Sequence, residues 1–244
     1  MSKLVKLAFL LAFWQSVGFA CSCRSSNCSA LGSADLEFLG TATRVYTTIL
    51  PWFAQDVAID FSVSETFGKL GKAKTITVRT PAQPTACGYP FQVGVEYFVS
   101  ANAGEDGLST NTCSRTQPAI TAAALLRQLR AIKAGKPAAQ LFGFVGTESY
   151  PGLSLQSRVS AKPIGSVSIT AVGAAGEFTT ATMPDGSFEF ARLPASVYRL
   201  RVNLPANLFI WYANSVLGRQ FDVRPGAACQ SDIPLYRRGD PFGR

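Results

Sequence analysis

The sequence predicts a mainly β protein with a single helix near its middle. Several segments alternate apolar and polar residues with the period of two that is typical of half-buried strands. One stretch, AITAAALLRQLRAIKAG (119–135), instead carries apolar residues at helical spacing. An Asp-Gly pair at 185–186, between two alternating runs, is a strong signal for a β-hairpin. These observations divide the 244 residues into a first β region, a helix and a second β region.

Four strands are expected in the first β region. The segments are rich in β-branched and aromatic residues and are separated by glycine and proline. They cover residues 34–46, 56–67, 73–80 and 93–101. The connection TTILPWFAQ (47–55) is expected to be a loop that is unusually apolar. Such a loop either packs back on the sheet or forms part of a contact surface, and the sequence leaves both open.

The helix is predicted over residues 119–135, with Thr121 as its N-cap and Gly135 as its end. One face is expected to be buried because its residues are apolar and share helical spacing. These residues are Leu125, Leu126, Leu129 and Ile132. Another face carries basic residues and is expected to be solvated, with a partner-binding ridge as the alternative. These residues are Arg127, Arg130 and Lys133.

The second β region begins at Leu141, and its strands follow each other without helices. They are expected within residues 165–173, 176–194, 196–205, 207–213 and 219–225. This spacing predicts a small antiparallel β-sandwich. Lys136-Pro137 is expected to act as a hinge, so that residues 21–136 and 139–244 form separate domains.

The first 20 residues have the pattern of a secretory signal peptide. Lys3 and Lys6 precede the apolar run LAFLLAFW (7–14), and Gly18-Phe19-Ala20 ends the segment as a cleavage site. Because this run is too short to span a bilayer and no later run is longer, no transmembrane segment is expected. We expect a secreted or periplasmic protein that starts at Cys21. Lipid anchoring at Cys21 is the less favoured alternative, since it would leave five cysteines.

Six cysteines and the absence of histidine limit the chemistry that this chain can perform. An even set of cysteines in an exported chain indicates disulfides, although six cysteines allow 15 pairings. Without histidine, the Ser-His-acid and Cys-His catalytic sites and imidazole zinc sites are excluded. The carboxylate pairs Asp56 with Asp60 and Glu105 with Asp106 are expected to be solvated surface. No phosphate-binding loop is found, so neither enzymatic activity nor a cofactor is expected.

The net charge of +8 comes from basic residues that are scattered along the chain. Nucleic-acid binding requires a clustered basic stripe. A nucleic-acid partner is therefore not expected.

Several motifs follow each other in a familiar order. Cys21-x-Cys23 precedes ADLEFLGTATRV (34–45), CGYPFQVGVEYFVSA (87–101) and LSTNTCSRT (108–116). Over residues 21–116 the chain resembles the netrin-like (NTR) domain, and more closely the inhibitory domain of tissue inhibitors of metalloproteinases. The resemblance implies an oligonucleotide-binding-type (OB) barrel of five strands with helix packed against it. It also implies the disulfides Cys21–Cys87 and Cys23–Cys113, which leaves Cys28–Cys229 to join the two β regions.

In that family the mature N-terminal cysteine chelates the catalytic zinc of a target protease through its α-amino nitrogen and carbonyl oxygen. The resemblance thus assigns this role to Cys21 and implies an inhibitory wedge around it. The wedge would consist of Cys21, Ser22, Cys23, Arg24, Thr85 and Ala86. Two features depart from the family pattern: the short segment RSSN (24–27) and the bulky cation of Arg24. A purely structural role for the same cysteines therefore stays open.

The stretch TTATMPDGSFEFARLPASVYRLRV (179–202) resembles the carboxypeptidase regulatory-like, transthyretin-like β-sandwich. Such domains are generally scaffolds or adhesion modules, and the fold alone does not supply a function. Together the two resemblances imply a secreted, disulfide-stapled, non-enzymatic protein that binds other proteins, with zinc metalloprotease inhibition as its most concrete activity. The alternative is a structural or adhesion module of the cell envelope or extracellular space.

Overall fold

A computed structural model describes residues 28–49, 55–67, 73–82, 87–148, 159–210 and 217–238. These ranges contain seventeen strands and one helix, so the predicted mainly β fold is confirmed. The strands are β1 (Cys28–Ser29), β2 (Leu36–Ile49), β3 (Gln55–Phe67), β4 (Thr75–Pro81), β5 (Glu96–Gly104), β6 (Gly107–Ser109), β7 (Gln117–Pro118), β8 (Leu141–Thr147), β9 (Lys162–Pro163), β10 (Ser168–Gly173), β11 (Gly176–Ala181), β12 (Ser187–Phe190), β13 (Ser196–Asn203), β14 (Leu208–Phe209), β15 (Phe221–Val223), β16 (Ala228–Gln230) and β17 (Ile233–Arg237). The helix is α1 (Ala123–Lys133).

Five strands of the first β region form a closed circuit of pairings. Strand β2 pairs with β3, β3 with β4, β4 with β6, β6 with β5, and β5 returns to β2. The β4–β6 pairing is parallel and the others are antiparallel. Aromatic rings fill the interior, where Phe61 makes edge-to-face contacts with Phe38 and Phe91 at centroid distances of 5.3 and 5.2 Å. These contacts fix the inward face of each strand.

The four predicted strands of this region are confirmed as β2 to β5, with shifts of a few residues at their ends. The loop predicted over residues 47–55 is wrong in part. Strand β2 continues to Ile49 and β3 begins at Gln55, with Thr47 opposite Val57 and Thr48 opposite Asp56. The β-branched threonines extend the hairpin because they fit a pleated surface. Residues 50–54, which include Trp52 and Phe53, lie outside the described ranges.

Helix α1 lies between the two β regions. Its residues Leu125, Leu126 and Leu129 are buried, as predicted. They belong to an apolar cluster that contains Phe98 of β5 and Phe142 of β8. A single helix therefore supplies core to both sides.

The ends of α1 match the prediction only in part. Gly135 follows the helix at φ +69° and its N–H donates to the Ile132 carbonyl, so the predicted end is confirmed. The N-cap prediction is wrong, because Ala122 occupies that position and the Thr121 hydroxyl donates to the Pro118 carbonyl at 3.0 Å. The prediction that Ile132 is buried is also wrong. Ile132 lies in the last turn of α1, beyond the apolar cluster that the three leucines join, and is 45% exposed.

The second β region contains two sheets. The larger has the order β1-β16-β8-β17-β14, with β12 and β9 also pairing with β8, and the smaller has the order β11-β10-β13-β15. A common apolar core contains Leu141 and Val145 of the first sheet and Ile169 and Leu200 of the second. Strands β10, β13, β14 and β15 lie within predicted segments. Residues 211–213 of the strand predicted within 207–213 lie outside the described ranges.

The hairpin predicted at Asp185-Gly186 is wrong. The turn exists, and Gly186 adopts φ +75°, but β11 before it pairs with β10 whereas β12 after it pairs with β8. The chain therefore passes from one sheet to the other at this turn. A Cβ atom on Gly186 would lie 2.5 Å from the Val145 carbonyl oxygen. Glycine is therefore required at this position for two reasons, the positive φ and the close approach of the turn to β8.

The N-terminal segment joins the sheet of the second β region. Cys28 lies opposite Cys229, and Ser29 opposite Ala228, in the antiparallel β1–β16 pair. Sequence periodicity cannot indicate a strand of two residues. This strand is what brings the start of the described chain into contact with both β regions.

Candidate protein-binding site

All six residues of the predicted inhibitory wedge lie outside the described residues, as do residues 1–20. They are Cys21, Ser22, Cys23, Arg24, Thr85 and Ala86. The described chain contains the positions to which the wedge would be attached. These positions are Cys87, Cys113 and the segment that begins at Cys28.

Cys87 and the segment around Cys113 lie side by side. The Thr112 N–H donates to the Cys87 carbonyl at 2.9 Å, and the Cys113 N–H donates to Asn111 Oδ1 at the same distance. Cys87 adopts φ +76°, an uncommon conformation for a residue with a side chain. Both cysteines are disulfide-bonded. The pairings predicted with Cys21 and Cys23 stay predictions, because those partners are not described.

A group of hydroxyls holds the Cys113 loop against β5. The Thr110 hydroxyl lies 2.8 Å from those of Ser114 and Thr116 and donates to the Ser100 carbonyl at 2.8 Å. The Thr116 hydroxyl in turn accepts the Ser100 N–H at 3.0 Å. Because these groups satisfy each other inside the fold, the loop is fixed on both sides of Cys113.

Arg115 connects this loop to the N-terminal segment and to the second β region. Its Nη2 donates to the Ser29 hydroxyl at 2.6 Å, to the Ser29 carbonyl at 3.2 Å and to the Ala228 carbonyl at 3.3 Å. Its Nη1 lies 3.5 Å from the Ala30 carbonyl. One guanidinium therefore binds the β1–β16 pair from the side. Arginine suits this role because its donors lie in a fixed plane.

Glu37 supplies the opposite charge near Arg115. Glu37 is only 3% exposed, and its Oε2 atom has no hydrogen-bond partner among the described residues. Burial raises the pKa of Glu37, while the charge of Arg115 and a hydrogen bond from the Gly32 N–H act in the opposite direction. Burial likewise lowers the pKa of Arg115, and Glu37 opposes that change. Burial outweighs the mutual attraction for both groups.

The Cys28–Cys229 disulfide is present in the structure and links residues 201 positions apart. It lies within the β1–β16 pair, directly before the Ser29–Ala228 pair that Arg115 contacts. A covalent bond, a strand pair and a partly buried arginine thus hold the N-terminal segment at one place.

The basic face of α1 makes contacts within the protein rather than forming a free ridge. Arg127 contacts Asp185 at 3.1 Å and also the Ser187 hydroxyl, and Arg130 binds Glu65 at 2.7 Å. Lys133 Nζ donates to the Thr66 carbonyl at 3.1 Å. Arg130 and Lys133 are exposed, as predicted for a solvated face, but all three cations also contact other elements of the protein. These cations hold α1 to β3 on one side and to the turn at Asp185 on the other.

The pKa of Asp185 is lowered, although partial burial acts to raise it. Hydrogen bonds from Ser187 and the charge of Arg127 outweigh that effect. The contact between α1 and this turn therefore favours the ionised carboxylate.

The carboxylate pairs considered from the sequence lie on a strand and a turn. Asp56 and Asp60 are four residues apart on β3, which corresponds to about 13 Å along an extended strand, more than the separation used by paired-carboxylate hydrolases. Asp60 accepts a hydrogen bond from Thr77 at 2.7 Å. Glu105 and Asp106 form the turn between β5 and β6.

Among the described residues, no group of three or more His, Cys, Asp or Glu side chains comes together as a metal site. Within the same ranges, α1 lacks the length and hydropathy of a membrane-spanning helix.

No family model matches this chain, and no curated protein matches it. The candidate site is therefore defined by its own geometry around Cys87, Cys113 and the β1–β16 pair. Arg115 and Glu37 are the residues to which sequence reasoning gave no role. Both residues lie in segments that carry the family resemblance, 34–45 and 108–116. Their positions in the sequence do not indicate that their charges lie close together in the fold.

Proposed function

We propose that this protein is a secreted or periplasmic, disulfide-stapled, non-enzymatic protein that binds other proteins, and that it inhibits a zinc metalloprotease through its mature N-terminal cysteine. The proposal includes an OB-type barrel of the NTR class for the first β region. It also includes a carboxypeptidase regulatory-like sandwich for the second. Its main support is the contact between Cys87 and the Cys113 loop.

That contact matters because the two cysteines of Cys21-x-Cys23 lie close together. Residues two apart in an extended chain are separated by about 7 Å, so their disulfide partners must be neighbours. The 2.9 Å hydrogen bond from Thr112 to Cys87 makes Cys87 and Cys113 neighbours of this kind. The geometry supports a pairing of Cys21 and Cys23 with Cys87 and Cys113, and the resemblance assigns Cys21 to Cys87 and Cys23 to Cys113.

The second support is rigidity at the other end of the N-terminal segment. Ser29 and Ala30 are bound by Arg115, and Cys28 is bound to Cys229. With the proposed disulfides, residues 21–28 are tied at both ends. A binding segment that is already ordered loses less conformational entropy when it binds.

In the proposed mechanism, Cys21 binds the zinc of the target protease through its α-amino nitrogen and carbonyl oxygen. An α-amino group has a pKa of about 8, so the neutral ligand forms at low cost near pH 7. Ser22 would enter the specificity pocket, and Arg24 would continue along the cleft. Thr85 and Ala86 would lie beside the wedge through the Cys87 bond.

The decisive experiment adds one alanine before Cys21 and measures inhibition of a panel of zinc metalloproteases. We expect the extended form to lose inhibition by at least about 100-fold, because its α-amino group can no longer reach the metal. The control carries the same alanine after Arg244. Both forms should melt at the same temperature. Equal inhibition by the two forms would exclude chelation.

A structural or adhesion module is the second candidate. It is favoured by the contacts that join the two β regions, namely the Cys28–Cys229 bond, β1 and Arg115. These contacts need no zinc binding by Cys21. On this proposal the unextended protein inhibits no zinc protease in the panel. The same assay therefore separates the two candidates.

A further inference from the structure

An open cavity of about 450 Å³ lies between the N-terminal segment, the end of α1 and the second β region. Its lining comes from the residues after β1, from the end of α1, from the α1–β8 connection, from the end of β12 and from the turn before β16. The volume lies within the range of known binding pockets, which occur preferentially between domains. Ala228 lines this groove and its carbonyl also accepts from Arg115. The groove therefore borders the candidate site described above.

The described lining of the groove is mostly apolar and rich in small residues. Six of the twelve described residues that line it are alanines, and the larger apolar side chains among them belong to Leu31 and Ile132. Ile132 is one of four large hydrophobic residues that are exposed in the described chain. Alanine and glycine have small side chains, so a peptide bound in the groove could approach the protein backbone closely. This shape suits an extended segment with apolar side chains.

One charged residue, Arg192, lies at the groove. It makes no hydrogen bond or ion pair with any described residue, and none of the described residues that line the groove is acidic. Other cations at the junction, such as Arg115 and Arg127, have partners. An unpaired cation beside an apolar surface favours a ligand that brings both a hydrophobic part and a negative charge.

We propose that this groove binds a short, extended, apolar segment of a partner protein that carries an acidic side chain opposite Arg192. The proposal goes beyond zinc chelation and does not depend on it, since the groove is formed by described residues of the N-terminal segment, α1 and the second β region. It gives the protein a second contact surface next to its N-terminal segment.

The test uses two synthetic peptides, fluorescein-Leu-Leu-Glu-Leu-Leu-amide and its Leu-Leu-Lys-Leu-Leu counterpart, with binding followed by fluorescence anisotropy. The wild-type protein should bind the glutamate peptide at least about fivefold more tightly, which corresponds to roughly one exposed ion pair. Arg192→Glu should reverse the preference. Arg199→Glu is the matched control, because Arg199 is also exposed and without a described partner but lies on β13.

A second measurement locates the peptide. Ala191 is exposed at the groove, so Ala191→Trp should fill the space without affecting the fold, and peptide binding should fall at least about tenfold. Isotope-labelled alanine methyl groups should shift in the nuclear magnetic resonance spectrum at Ala138 and Ala227 when peptide is added. The proposal is overturned if Arg192→Glu binds both peptides as the wild type does, or if Ala191→Trp binds normally. Failure here leaves the alanine-extension assay of inhibition unaffected.

Discussion

Arg115 and Glu37 are the two residues on which the junction between the β regions most depends. Arg115, in the Cys113 loop, contacts the N-terminal segment and β16 through a single partly buried side chain. Glu37 balances its charge from β2 but leaves one carboxylate oxygen without a partner. A buried pair of this kind contributes little net stability compared with apolar residues, yet removing one member is costly.

We expect Arg115→Met to lower the free energy of unfolding by about 3–5 kcal/mol, because Glu37 would remain buried without a counter-charge. Urea denaturation would measure the change. Arg199→Met, at an exposed position on β13, is the control and should change stability by less than about 0.5 kcal/mol. Equal effects of the two substitutions would show that the buried cation has no special role.

The raised pKa of Glu37 predicts a pH dependence of stability. Between the ordinary pKa of 4.5 and the raised value, the folded protein binds more protons than the unfolded chain. The free energy of unfolding must therefore fall as the pH rises through this window. Glu37→Gln should weaken this dependence, as measured by urea midpoints from pH 4.5 upward. If the wild type and Glu37→Gln have the same pH profile, Glu37 does not titrate in this window.

These two residues illustrate the limit of sequence reasoning at this scale. Glu37 occupies an outward position in an alternating strand, where a charged residue is normally solvated. It is buried on the same face of β2 as Leu39, which packs in an apolar cluster with α1 and with Phe142 of β8. Its electrostatic contacts, with the Gly32 N–H and with Arg115, come from loops outside β2, so the alternation within the strand does not indicate this burial.

At the scale of single elements, the sequence predicted what local periodicity can encode. Strands β2 to β5 and helix α1 were all found within a few residues of their positions, because burial of one face imposes the alternation. The hairpin at Asp185-Gly186 was wrong for a different reason. A turn signal specifies the local backbone, whereas the pairing partner of each flanking strand depends on distant residues. Here β12 pairs with β8 in one sheet, whereas β11 pairs with β10 in the other.

The turn at Gly186 yields a paired prediction. Gly186→Ala and Gly226→Ala both place a side chain at positive φ, which costs about 1–2 kcal/mol. Only Gly186 lies against a neighbouring backbone, at 2.5 Å from the Val145 carbonyl oxygen, whereas nothing lies within 4 Å at Gly226. We expect Gly186→Ala to cost about 1–3 kcal/mol more than Gly226→Ala in urea denaturation. Equal costs would mean that β8 moves freely to make room.

At the scale of the whole molecule, α1 and the N-terminal segment join the two β regions. Gln128 of α1 donates to Glu189 at 2.7 Å and accepts the Ala139 N–H at 2.6 Å, so the connection after the helix is bound to the helix itself. Lys136 also donates its N–H to the Ala131 carbonyl. These bonds restrict the segment that the sequence suggested as a hinge.

Removing the Cys28–Cys229 disulfide tests this arrangement. We expect the double substitution Cys28→Ser with Cys229→Ser to lower the free energy of unfolding by about 2–5 kcal/mol, because the bond closes a very long loop. Hydrogen exchange should also become faster at Ser29 and Ala228. Unchanged exchange at these two amides would show that Arg115 and strand pairing hold β1 without the covalent bond.

The same disulfide has a consequence for how the protein is made. The chain is synthesised from its amino terminus, so Cys28 becomes available 201 residues before Cys229. Cys21 and Cys23 have emerged before Cys28, and Cys87 and Cys113 emerge before Cys229, so each of these four can form a bond with Cys28 first. A pairing that must wait for the last strands is exposed to such errors, and correction proceeds by thiol–disulfide exchange. Efficient maturation of this protein therefore calls for a compartment that can rearrange disulfides as well as form them.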